Sequence, residues 1–155
     1  MTENIAVYES FANTGNHVLD ALITDKNIIC KNNDISFSCI ADASGLSSVK
    51  NEDLYCLFGN ILDNAIEYVK TVEEKEKRFI RLFVRSNDNI KVIHQENYFD
   101  GKLSFSGGLP QTTKADKINH GFGVKSIAHI VKNYGGELSV VTEDNLFKID
   151  IVLTK

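Results

Sequence analysis

Residues 54–69 read LYCLFGNILDNAIEYV. Leu54, Phe58, Ile61, Leu62, Ala65, Ile66 and Val69 recur at helical spacing and cover most of the girth of the helix they predict. The rest of its surface is a narrow strip of Asn60, Asp63, Asn64 and Glu67, at i, i+3, i+4 and i+7. Two asparagines one turn apart are unusual, because asparagine is a mediocre helix former and a solvated face is richer in Lys and Glu. Carboxamide oxygens suit a hard cation such as Mg²⁺, which completes its shell with waters and phosphates. A merely solvated strip is the bland alternative.

Working outward from this helix (residues 51–70), the chain alternates between helical and strand-like periods. Residues 5–31 read as a helix with Ile5, Tyr8, Phe11, Val18, Leu19, Leu22 and Ile23 loosely in phase, interrupted at Gly15 and Asn16. DISFSCIA at 34–41 alternates as a strand. FIRLFVRS at 79–86 and IKVIHQE at 90–96 predict two strands joined by an Asn-Asp-Asn turn at 87–89. Residues 98–120 have no sustained period and predict a long loop, of a kind that is usually functional or mobile. FGVKSIAHIVKNY at 122–134 predicts a helix stopped by Gly135 and Gly136, and a hairpin at 137–142 and 146–153 follows. This order predicts an α+β two-layer sandwich, a mixed and mostly antiparallel sheet with helices on one face.

The second chemical feature is HGFGVKSIAHIVKNYGG at 120–136. Gly121 and Gly123 open a helix directly after the long loop, and free N–H groups at a helix start attract anions. Thr112, Thr113 and Lys114 lie just upstream, where a loop with two hydroxyls and a cation can fold over a polyphosphate. An ordinary loop-to-helix turn is the competing reading of GxG.

Composition narrows the classes. A net charge of −4 with no Lys/Arg-dense stretch argues against nucleic acid as a partner. No apolar run approaches the length of a membrane span, and the N-terminus MTENIAVYES shows no signal peptide. Cys30, Cys39 and Cys56 lack CxxC spacing and read as buried or idle thiols of a reducing cytoplasm. His17 lacks the acidic neighbour of a phosphoacceptor box, His94 and His129 read as structural, and His120 adjoins the helix start.

NILDNAIEY resembles the N-box of the GHKL superfamily of gyrase, chaperone, mismatch-repair and histidine-kinase ATPases. GLPQTTKADKINHGFGVKSIAHIVKNYGGELSV resembles the lid, G2 box and following strand of sensor histidine kinases of the Agr-type quorum-sensing and citrate-sensor-like branch. TGNHVLDALITDK resembles the segment after the phosphoacceptor helix in that branch, so the likeness runs from about residue 13 to the end.

The resemblance implies an ATP-binding catalytic domain at 33–155, preceded at 1–32 by the end of a dimerisation and phosphotransfer helix. By position, Asn64 matches the Mg²⁺-binding asparagine and Asn60 the first N-box asparagine near the phosphates. Gly121 and Gly123 match the glycines at the triphosphate. Lys114 stands in the lid with Thr112 and Thr113, so Asn60 and Lys114 are the catalytic candidates. The implied cofactors are ATP and Mg²⁺. The implied partners are a phosphoacceptor histidine outside this chain, a response regulator and a second copy in the full kinase. That kinase would be cytoplasmic here and membrane-anchored through its sensor region. Three departures stand out. The Asp-x-Gly-x-Gly G1 box is absent, so Asn97, with Glu96 second, is expected at the adenine. Glu67 stands where many kinases have Lys, and Asn60 stands where gyrase-type enzymes have a general-base Glu. A stand-alone anti-sigma-type serine kinase and a non-catalytic nucleotide-binding or interaction module are the alternatives.

Overall fold

The computed structural model describes residues 13–101, 105–106, 109–110 and 122–154. Its elements are helix α1 (His17–Asn32), strand β1 (Ser36–Asp42), helix α2 (Asn51–Val69), strands β2 (Phe79–Ser86) and β3 (Lys91–Tyr98), a short hairpin of β4 (Phe105–Ser106) and β5 (Leu109–Pro110), helix α3 (Phe122–Asn133), and strands β6 (Glu137–Glu143) and β7 (Leu146–Leu153). The main sheet has the order β1-β2-β3-β7-β6. Only β1 and β2 run parallel, because they are the pair joined by a helical crossover, α2. β2–β3, β3–β7 and β6–β7 are antiparallel.

The helices lie on one face. β2 shows why, since Ile80, Leu82, Val84 and Ser86 are buried while Arg81 and Arg85 are exposed. A strand with period-2 burial has one face against a core and one against solvent. α2 is the centre of the layer, touching α1, α3, β2 and β3. Phe58, Leu57, Ile61 and Val69 on it are fully buried. α1 adds Leu19, Leu22, Ile23 and Cys30 to the same core.

Local chemistry sets the boundaries. Asn87 Oδ1 accepts from the N–H groups of Asn89 and Ile90, an Asx turn that closes the β2–β3 hairpin. Asp144 and Asn145 both have positive φ, 54° and 60°, the type I′ geometry of a two-residue hairpin. α3 ends in a Schellman motif, with Gly136 N bonded to Val131 O at 2.9 Å and Gly135 N to Lys132 O at 3.1 Å.

Two expected elements take different bounds in the structure. The interruption expected at Gly15 and Asn16 is present, and residues 13 and 14 are not helical either. Gly15 has φ of +92°, and Asn16 is an N-cap whose side chain accepts from Leu19 N, so α1 starts at His17. Residues 5–12 of that expected helix lie outside the described residues. The stretch 98–120 is also not wholly loop. β3 extends through Tyr98 because its pairing with β7 continues to Leu146, and the β4–β5 hairpin forms within the stretch.

Candidate functional site

The polar strip of α2 divides into two uses. Asp63 turns toward α1, where Lys26 Nζ donates to its Oδ1 at 2.6 Å. Glu67 is tied to Lys70 one turn on, at 3.2 Å. Asn64 turns the other way and is buried, 7% exposed. Its Nδ2 is buried with no hydrogen-bond partner among the described residues. Such an orphan is rare in a folded protein and marks a site that expects a ligand or water. Asn60, one turn earlier and half-buried, donates its Nδ2 to Cys56 Sγ at 3.3 Å. That contact leaves the Asn60 carbonyl oxygen as its acceptor for other partners.

Gly123, in the first turn of α3, closes on Asn64. A β-carbon at Gly123 would fall 2.8 Å from Asn64 Oδ1 and 3.0 Å from its Nδ2. The glycine is therefore needed for the close approach of α3 to the carboxamide.

β3, which touches α2, carries two further buried amides. Gln95 and Asn97 project from its helix-facing side and are 0% and 1% exposed. Asn97 Nδ2 donates to Tyr98 O, and Gln95 Nε2 donates to Asn97 Oδ1, each at 2.9 Å. Gln95 Oε1 is left buried with no partner among the described residues. Glu96, the second adenine candidate, is placed differently from these two amides. Strand alternation puts it on the opposite face. There it accepts from Arg81 at 2.8 Å and lies 2.8 Å from His94 Nε2.

Beyond β3 the chain is pinned to α2. Tyr68 donates its hydroxyl to Asp100 Oδ1 at 2.7 Å and stacks on Phe99 with ring centroids 4.7 Å apart. Burial, and then the Asp100 carboxylate, push the Tyr68 hydroxyl above its ordinary pKa. Phe99 in turn meets Phe147 at 5.9 Å. Sequence reading missed Gln95, Tyr68 and Asp100. A usable signal existed for Gln95, an amide in phase with the inward apolar Ile93.

Thr112, Thr113, Lys114 and Gly121 lie outside the described residues. The described ones fit a nucleotide with Mg²⁺ on three counts: carboxamide oxygens on Asn60 and Asn64, orphaned polar atoms on Asn64 and Gln95, and a helix start whose Gly123 lets it approach Asn64 closely. Cys30 and Cys39 stand apart from this chemistry, and burial pushes their thiols up to about 11 and about 12.

The family model described as "GHKL domain" matches residues 49–154, from the start of α2 to the end of β7. No curated protein matches the chain in sequence. Among solved structures it is similar to the nucleotide-free catalytic domain of histidine kinase ThkA, with TM-score 0.62 and 13% identity over 90% of this chain and 92% of that one. It is also similar to histidine kinase AdeS of Acinetobacter baumannii, with TM-score 0.58 and 11% identity over 88% of this chain and 62% of that one. The histidine kinase domain of a blue-light activated kinase from Erythrobacter litoralis gives TM-score 0.57 and 12% identity over 91% of this chain and 60% of that one. At these identities the likeness is one of fold.

Proposed function

The chain belongs to the GHKL domain family, and from that membership we propose that it is the ATP-binding catalytic domain of a sensor histidine kinase. The observation that carries the proposal is Asn64, a buried carboxamide with an orphaned amide nitrogen pressed against the first turn of α3. An orphaned buried amide N–H asks for an acceptor, which a phosphate oxygen of a bound nucleotide would supply.

Each residue has a role of binding or orientation. Asn64 holds Mg²⁺ through its side-chain oxygen, and Asn60 lies beside the phosphates. Gly121 and Gly123 let backbone N–H groups approach the phosphates at the α3 start. By the family resemblance, Lys114, Thr112 and Thr113 are the residues that would contact the polyphosphate. Asn97 meets the adenine. Bound Mg²⁺ neutralises phosphate charge, and the protein contributes positioning. Asn60 has no carboxylate to activate water, which suits a kinase whose acceptor is an imidazole on another segment.

The wider reading follows the same resemblance: an Agr-type or citrate-sensor-like bacterial kinase, dimeric in its full form, passing phosphate to a response regulator. Residues 1–32 would end its phosphotransfer helix and 33–155 would form the catalytic domain. That division is one of role, since Leu19 and Ile23 of α1 are buried in the common core. Among the described residues no helix is long and apolar enough to cross a membrane. We place the chain in the cytoplasm of a membrane-anchored parent.

Calorimetric titration with ATP, with and without Mg²⁺, tests the proposal. Saturable binding strengthened by Mg²⁺ is expected. No binding of either form at millimolar nucleotide would sink it.

A further inference from the structure

We infer that Gln95 is a specificity-determining residue that accepts a hydrogen bond from the 6-amino group of adenine. The inference rests on the ATP-binding reading above and extends it to a residue that reading does not use.

The argument starts from hydrogen-bond bookkeeping. Gln95 sits fully buried on the helix-facing side of β3, between Leu82 of β2 and Ile149 of β7 in the sheet register. Both neighbours are buried aliphatic residues. A carboxamide in that layer is costly unless its polar atoms are matched.

Its orientation is fixed by its neighbours. The Tyr98 carbonyl can only accept, so the Asn97 amide must point its Nδ2 there. Asn97 Oδ1 then faces Gln95 and can only accept, so Gln95 must present its Nε2. An amide flip at Gln95 would set two oxygens against each other. Gln95 Oε1 is therefore held as an acceptor, and it is the atom with no donor among the described residues.

An acceptor fixed in this way asks for a donor from the ligand. Adenine presents an amino group where guanine presents a carbonyl oxygen. The 6-amino group of adenine completes the chain of donors running through Gln95 and Asn97 to Tyr98 O. The guanine oxygen would face Oε1 with no proton between them. Asn97, whose two amide ends are already engaged, holds Gln95 in register as well as lying at the base.

The test compares Mg-ATP with the Mg complex of purine riboside triphosphate, which has hydrogen in place of the 6-amino group. Affinities are measured by calorimetry for the parent and for Gln95→Met, a replacement of similar shape that suits the apolar layer. The parent is expected to prefer ATP by about tenfold, as for other sites in which a buried polar group loses its partner. Gln95→Met is expected to lose most of that preference by weakening ATP alone.

An undiminished preference in a folded Gln95→Met would overturn the inference. So would equal binding of the two nucleotides to the parent, the result expected if a buried water satisfies Oε1. Should Gln95→Met not fold, the side-chain amide resonance of Gln95 in the labelled parent decides. A shift with ATP but not with the purine analogue supports the contact, and equal shifts overturn it. If the parent binds neither nucleotide, the ATP-binding reading fails first and this inference with it.

Discussion

Asn64 Oδ1 occupies space within 2.8 Å of where a β-carbon on Gly123 would stand. One residue is in the middle of α2 and the other in the first turn of α3, so the contact fixes how the two helices meet. The same contact places a carboxamide at a helix N-terminus, where N–H groups are free to meet an anion. Packing and ligand chemistry are therefore linked at a single point.

Gly123→Ala tests that link. The added methyl must displace the Asn64 side chain or shift α3, and overpacking of this kind costs about 1–3 kcal/mol. We expect a fall in melting temperature and a larger proportional loss of Mg-ATP affinity. A variant that binds Mg-ATP like the parent would show that the Asn64 geometry does not matter for binding.

Asn64→Ala should separate function from stability. It deletes a buried donor that has no partner among the described residues, and an unmatched group of this kind costs about 1–3 kcal/mol. That relief offsets the lost packing, so the melting temperature without nucleotide should hardly move. The stabilisation given by Mg-ATP, about 2.7 kcal/mol at a hundredfold excess over Kd, should largely vanish. Differential scanning fluorimetry with ATP, with and without Mg²⁺, reads both effects. Retention of the full Mg²⁺-dependent shift would remove Asn64 from the site.

The fold was legible because its periods are clean. α2 and the strands alternate as their apolar residues dictate, and one crossover and two hairpins account for every neighbour in the sheet except the β3–β7 pair. The start of α1 was legible as the interruption at Gly15 and Asn16, although apolar residues on both sides of it keep a helical phase. The site was half legible. Asn60, Asn64 and Gly123 are marked by residue type and spacing. Gln95 is marked in the sequence only by its phase with Ile93, and its unmatched oxygen needs side-chain geometry to see. Glu96 was offered beside Asn97 because polarity at a strand end does not say which face a side chain takes. Asp63 looked like part of the Asn60–Asn64 strip until Lys26 on α1 was seen to claim it.

The open face of the sheet predicts a pH dependence unrelated to nucleotide. His94 lies between two carboxylates, with Nδ1 2.6 Å from Asp150 Oδ1 and Nε2 2.8 Å from Glu96 Oε1. Burial pulls the imidazole pKa down, but the hydrogen bonds and charges of Glu96 and Asp150 outweigh it and raise the pKa above the ordinary 6.5. The stability this gives is present below 6.5 and lost as pH rises through the higher folded value. Glu96 is also resisted by burial, yet His94 and Arg81 hold it below the ordinary 4.5, so its contribution is lost as pH falls through the lower folded value. Urea unfolding from about pH 5 to 8 should show stability declining toward the alkaline end, and His94→Gln should flatten that decline. Parallel curves for parent and variant would refute the role of the cluster.

Incubation with γ-labelled ATP should leave this chain without stable label and release phosphate only slowly. None of the histidines that the structure describes is a good acceptor. His94 has both ring nitrogens engaged by carboxylates, and His129 shares a contact with Asn133 at 3.3 Å. His17 is exposed but lacks the acidic neighbour of an acceptor box, as does His120, which lies outside the described residues. Water is no better served. Asn60 stands where a general-base carboxylate would be needed, and the nearby acids of α2 are occupied, Asp63 by Lys26 and Glu67 by Lys70. A separate polypeptide bearing a phosphoacceptor histidine should take up label when mixed with this chain, and Asn64→Ala should abolish the transfer. Acid-labile label accumulating on this chain alone would contradict the prediction and point first to His17, the exposed histidine at the start of α1.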